Sequence, residues 1–141
     1  MKSKLPATGT TIFAVMSALA EECGAINLSQ GFPSFDPPQP LLDRVTHYLQ
    51  NSANQYAPMQ GTPALRNAVA GKLADLYGRM ADADTSITVT DGATEALFAA
   101  IHAVIHPGDE VIVFDPAYDS YEPAVTLAGG KTIHLPLVTT D

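Results

Sequence analysis

The feature that most restricts how this chain can fold is the run over residues 86–121, SITVTDGATEALFAAIHAVIHPGDEVIVFDPAYDSY. Ile87-Thr88-Val89-Thr90 is a short β-rich segment. Gly92-Ala93-Thr94 turns it into a helix whose apolar stripe is Ala93, Ala96, Leu97, Ala100, Ile101, Val104 and Ile105. Pro107-Gly108-Asp109 ends that helix. Residues 111–114 then form a continuous apolar run, as expected of a strand buried on both faces, and Asp115-Pro116-Ala117-Tyr118 closes it. Ligands of open parallel sheets collect beyond the carboxyl ends of strands, and Gly92 and Tyr118 both lie just past such an end.

A helix that begins at this turn presents first-turn N–H groups that have no intrahelical partner, at the positive end of the macrodipole. A phosphate can sit there without a lysine or arginine. The Thr94 hydroxyl adds one more donor. A helix N-terminus permits an anion without requiring one, so the turn alone is also compatible with an empty connection. Neither G-x-x-x-x-G-K-[ST] nor G-x-G-x-x-G occurs, which leaves no P-loop and no dinucleotide fingerprint.

The remaining segments predict a layered α/β chain. An amphipathic helix starting at a threonine cap follows the basic start Met1-Lys2-Ser3-Lys4. The basic start, the apolar stretch and Ala18-Leu19-Ala20 imitate a secretory signal, but Pro6, Thr8, Gly9, Thr10 and Thr11 interrupt the stretch. Residues 27–38 are loop chemistry carrying two aromatics, and a helix is expected from Gln39 to about Asn51. A second loop, residues 56–63, leads into a helix from about Pro63 to Gly78, with Leu65, Val69, Leu73, Leu76 and Tyr77 as its stripe. A further helix from Tyr118 to about Ala128, a Gly129-Gly130 cap and a strand from Thr132 to Leu137 complete a βαβαβ order, which implies parallel strands. Three such strands leave an apolar edge without covering helices, so the chain is expected to be a truncated piece of a larger sheet.

Composition narrows the function. A net charge of −8, with seven unclustered lysines and arginines, argues against a nucleic-acid surface and against an anionic membrane partner. No apolar run approaches the roughly 18 residues of a membrane span. The single cysteine, Cys23, fits a reducing compartment and reads as a small core filler. His102 and His106 are spaced to share a metal, yet they lie opposite the apolar stripe with no third ligand, so they read as a solvated face and no metal site is assigned. The absence of a G-x-S-x-G elbow leaves hydrolase chemistry unsupported. Glu21-Glu22 and Asp82 with Asp84 read as solvated surface.

Five motifs, in order, carry a family resemblance: SKLP-x-x-GTTIF, INLSQGFPSFDPP, NQYAPMQG-x-x-ALR, ITVTDGATEALF and GDEVIVFDPAYDSYEP. With them the chain resembles the N-terminal third of a fold-type I, pyridoxal-phosphate-dependent aminotransferase of class I/II, and in particular the bacterial methionine aminotransferases and the kynurenine–oxoglutarate and glutamine transaminases. The resemblance implies an N-terminal arm and substrate-side segment over residues 1–37, belonging to a small domain. Residues 38–141 would then be the first part of a cofactor-binding large domain. It implies that Gly92, Ala93 and Thr94 hold the phosphate of pyridoxal 5'-phosphate and that Tyr118 stacks on its ring. Tyr56 would reach the neighbouring subunit's cofactor in a homodimer. Gly31 would touch the substrate carboxylate and Phe13 would line the side-chain pocket, although Phe13 reads equally as a core residue.

The same resemblance implies amino acid and 2-oxo acid substrates and a cytoplasmic location, and it makes the stretch around Phe13 an arm and helix instead of a signal. The chemistry also needs a Schiff-base lysine, a carboxylate at the pyridinium nitrogen and, usually, an arginine for the substrate carboxylate. Lys72 and Lys131 fall in no family motif, so the lysine is expected beyond Asp141, and the segment alone is expected to be inactive. A C–S lyase on the same scaffold and a non-catalytic relative are the alternatives. The start of the chain at the arm, without a basic DNA-binding module, favours the enzyme.

Overall fold

A computed structural model describes residues 2–6, 8–31, 33–51 and 53–138. The chain divides into two compact units, residues 1–30 with 91–141, and residues 31–90.

The first unit begins with an arm and helix α1, Ile12–Glu22. Thr11 caps it, its side chain accepting from the Ala14 N–H at 3.3 Å, as a β-region threonine before an apolar run should. Helix α1 lies largely exposed, and Cys23, its C-cap residue, is exposed as well, which corrects its reading as a core filler. The physical reason is that α1 buries none of its residues, so its end has no interior to fill.

In the second unit, α2 spans Gln39–Gln50 and α3 spans Pro63–Tyr77. Thr62 caps α3 by accepting from Leu65 N–H, Pro63 occupies the first turn, and Gly78 ends it in the left-handed region at φ 62. Arg66, nearly fully buried, ties this unit together. Its Nε donates to the Gly61 carbonyl at 3.2 Å, and its terminal nitrogen donates to the Ala83 carbonyl and pairs with Asp84 at 2.9 Å. Asp84 is therefore more than solvated surface: it stays exposed itself but answers a buried guanidinium, whose charge needs a partner. Asp82 likewise accepts the backbone N–H groups of Asp84 and Thr85.

Residues 87–90 do not form the expected strand. They belong to no sheet among the described residues, and the Val89 N–H donates to the Gln60 carbonyl at 2.9 Å. A β-rich sequence becomes a strand only where a ladder partner accepts its backbone groups, and here a loop does so.

The first unit resumes with α4, Gly92–Val104, then β1, Glu110–Asp115, α5, Tyr121–Ala128, and β2, Lys131–Pro136. β1 and β2 pair in parallel, Val113 opposite His134, across the α5 crossover. Among the described residues the sheet thus has two strands where three were expected, α5 starts at Tyr121 and not at Tyr118, and β2 runs one residue ahead of the anticipated limits. Gly129 ends α5 at φ 86, and a side chain there would meet Pro107 at 3.2 Å.

Val113, Ala124 and Val125 form the buried core of this unit, where α5 lies on the sheet. The expectation that residues 111–114 are buried on both faces is corrected, because Ile112 and Phe114 are 61% and 58% exposed. Side chains alternate along a strand, so α5 covers the Val113 side and leaves the other open.

At the margin of the α5 side, His134 of β2 sits between two carboxylates. Its Nδ1 lies 3.0 Å from Asp115 of β1, and its Nε2 lies 3.9 Å from Glu122 of α5. The hydrogen bond to Asp115 raises the His134 pKa above the ordinary imidazole value, with burial opposing and the two negative charges assisting. A raised folded-state value means that the stabilisation is complete below the unfolded value, about 6.5, and disappears as pH climbs through the folded one. In a proton NMR titration, His134 should therefore titrate above about 6.5, and Asp115→Asn should bring it down. An unchanged midpoint in Asp115→Asn would contradict the bridge.

Candidate functional site

The local sequence explains why α4 begins as it does. Gly92 adopts φ 77, a region in which side chains with a Cβ are strained, and no atom lies within 4 Å of the place where a Cβ would stand. Beyond its chain neighbours and the helix's own backbone, the Cβ side of Gly92 therefore faces open space. Asp91, at the N-cap, makes no side-chain capping bond, in contrast to Thr11 and Thr62 at the starts of α1 and α3. The Glu95 carboxylate instead accepts from the Asp91 N–H, engaging the backbone just before the turn.

Tyr118 follows β1, and its hydroxyl lies 3.2 Å from Thr94 Oγ1, although the two residues are 24 apart in sequence. Packing of α5 against both α4 and the sheet places the end of β1 beside the start of α4. Tyr121 supports the Tyr118 ring edge to face, with centroids 5.7 Å apart. The hydrogen bond with Thr94, followed by one with Ser120, lowers the Tyr118 pKa from its ordinary value, while burial and Asp119 oppose the shift. Tyr118 remains 42% exposed, which leaves it surface on which a flat group can lie.

Next to this pair a cavity of about 520 Å³ opens between the arm, α4 and α5. Thr8 to Ile12 form one wall, Thr94 and Phe98 a second, and Asp119, Ser120 and Pro123 a third. Gly92 and Tyr118 are not among its lining residues, so the open turn sits at its margin, with Thr94 as the link. His102, one turn beyond Phe98, stacks on that ring at 3.9 Å and places Nδ1 2.9 Å from the Phe98 carbonyl oxygen. His106 instead faces Asp109 at 3.5 Å.

Among the sequence-predicted residues, the structure thus gathers Gly92, Ala93, Thr94 and Tyr118 at one place. Phe13 lies on α1 in the same unit and is partly exposed. Gly31 and Tyr56 belong to the other unit. Both are exposed, Tyr56 fully. Lys131 pairs with Glu110 at 3.2 Å on the surface at the head of the strands, and Lys72 lies on α3. Sequence reasoning missed the Thr94–Tyr118 hydroxyl contact, the Ser120 contribution and the Arg66 anchor. Only the last had a visible signal, in the ALR triplet that follows the second loop.

The chain is similar to known aminotransferases. The chain is 62% identical over 129 residues to the methionine aminotransferase of Escherichia coli, covering 92% of this chain and 33% of that protein. It is 43% identical over 136 residues to a probable N-succinyldiaminopimelate aminotransferase of Mycobacterium tuberculosis, covering 96% and 34%. The crystal structure of an Escherichia coli protein with a methionine aminotransferase function superimposes with a TM-score of 0.93 at 58% identity, over 99% of this chain and 37% of that one. The chain therefore spans about a third of the length of these curated relatives. The sequence pattern of the aminotransferase class I and II family matches residues 24–141, and this chain belongs to that family.

Proposed function

We propose that this chain supplies the phosphate-holding and ring-stacking part of a pyridoxal-phosphate-dependent aminotransferase. The observation that carries the proposal is the convergence of Thr94 and Tyr118 at the open, glycine-initiated start of α4. These residues fit the group. The α4 N-terminus offers backbone N–H donors and a favourable dipole to a phosphate dianion, Thr94 adds a hydroxyl, and the exposed face of Tyr118 offers a platform to a planar ring. When bound, pyridoxal phosphate supplies an electron sink through which an amino group passes between an amino acid and a 2-oxo acid.

The chain's own residues bind and orient. Gly92 and Ala93 present backbone to the anion, Thr94 donates to it, and Tyr118 sets the tilt of the ring plane. Phe13 would contact the substrate side chain and Gly31 the substrate carboxylate. The amino donor is taken to be methionine, aromatic or glutamine-like, and the similarity to a methionine aminotransferase supports the first of these. Tyr56 is fully exposed, as expected of a side chain that serves a neighbouring subunit, which supports a homodimer. In the complete enzyme, residues 1–37 would belong to the small domain and residues 38–141 to the large one. An exposed free Cys23 suits a reducing, cytoplasmic setting, and no helix among the described residues is long and apolar enough to cross a membrane.

Two measurements test this reading in a complete aminotransferase built on this chain. Gly92→Val should weaken pyridoxal phosphate binding by an order of magnitude or more, because valine strains the φ 77 backbone and crowds the anion, whereas His102→Ala should leave it nearly unchanged. Equal affinities in the two variants would remove the turn from the site. Tyr56→Ala and Gly92→Val subunits, each poorly active alone, should regain activity when mixed, since each mixed dimer then contains one site with neither defect. Verified mixed dimers without recovery would place Tyr56 in its own subunit's site or outside any site.

A further inference from the structure

We infer that Tyr118 is a positioning residue for the anion as well as a stacking surface, because its hydroxyl holds the Thr94 hydroxyl in the orientation that donates to a phosphate. The inference rests on the proposed cofactor site and deepens it. The two hydroxyl oxygens lie 3.2 Å apart and come from different elements, Thr94 from the first turn of α4 and Tyr118 from the segment between β1 and α5. A hydroxyl carries one proton and can accept at its lone pairs, whereas a phosphate dianion only accepts. Once Thr94 gives its proton to the phosphate, its oxygen can serve Tyr118 only as an acceptor. The Tyr118 O–H then donates to Thr94 Oγ1, which makes a chain from phenol to threonine to phosphate. Each bond in such a chain polarises the next.

The surroundings restrain both ends of this chain. On the Tyr118 side, Tyr121 meets the ring edge to face at 5.7 Å. Thr94 sits on a regular helix beside Phe98, with both lining one wall of the adjoining cavity. A phenylalanine at position 118 would keep the ring and lose the hydroxyl, leaving the Thr94 rotor to choose among acceptors unaided.

The experiment compares dissociation constants for pyridoxal 5'-phosphate and for pyridoxal, which lacks the phosphate, in the complete aminotransferase. Stacking is common to both ligands, so their ratio isolates the phosphate. Tyr118→Phe and Thr94→Val should each reduce the preference for the phosphorylated ligand about three- to tenfold, the range expected for one lost hydrogen bond. The double variant should lose no more than the worse single variant, because both changes break one chain. Thr94→Ser should restore most of the preference, and retained pyridoxal binding marks each variant as folded. Full preference in Tyr118→Phe, or losses that add in the double variant, would overturn the positioning role while leaving the cofactor site in place. A wild-type protein that binds both ligands equally would overturn the phosphate seat and this inference with it.

Discussion

The packing of α5 on the two parallel strands is the contact on which the site depends. Val125 is 1% exposed, Ala124 and Val113 are nearly as well covered, and these residues join the helix to β1. Burying a valine side chain of this kind stabilises by about 1.5–3 kcal/mol. The same helix packs against α4, so a single element fixes the distance between the end of β1 and the start of α4. Tyr118 comes within hydrogen-bond range of Thr94 for this reason, although neither residue belongs to the core. Gly129 and Gly130 assist by letting the chain turn closely under Pro107 and Ile105 before it enters β2.

Much of the helical frame was legible in the sequence because it is locally encoded. Thr11, Thr62, Pro63, Gly78 and Gly129 announce helix ends through their own dihedral preferences and hydrogen bonds, and these ends fall within a residue or two of expectation. The β-structure was less legible, since a strand is defined by its partner. Residues 87–90 have strand composition but meet a loop carbonyl, and the apolar run of β1 anticipated cover on a face where Ile112 and Phe114 are open. Cys23 was misplaced by the same kind of inference, from residue type to burial without knowledge of what packs nearby.

The candidate site shows the same division. Gly92 and Thr94 were visible as a turn and a donor within three residues, and Tyr118 as an aromatic past a strand end. Their mutual contact spans 24 residues and follows only from how α5 lies, so no local pattern could announce it. Family likeness supplies the chemical meaning of the geometry: a helix start next to an aromatic ring suits many ligands, and the sequence match selects the aminotransferase class I and II family. Phe13 shares a compact unit with this cluster, whereas Gly31 and Tyr56 belong to the unit of residues 31–90.

The central claim is that the first turn of α4, and no other helix start, receives the phosphate. Amide chemical shifts of the isotopically labelled protein during titration with pyridoxal phosphate test it directly. The largest phosphate-dependent changes, judged against a parallel titration with pyridoxal, should fall on the N–H groups of Gly92, Ala93 and Thr94. Changes of equal or greater size at the starts of α1 or α3, with those three amides unmoved, would contradict it.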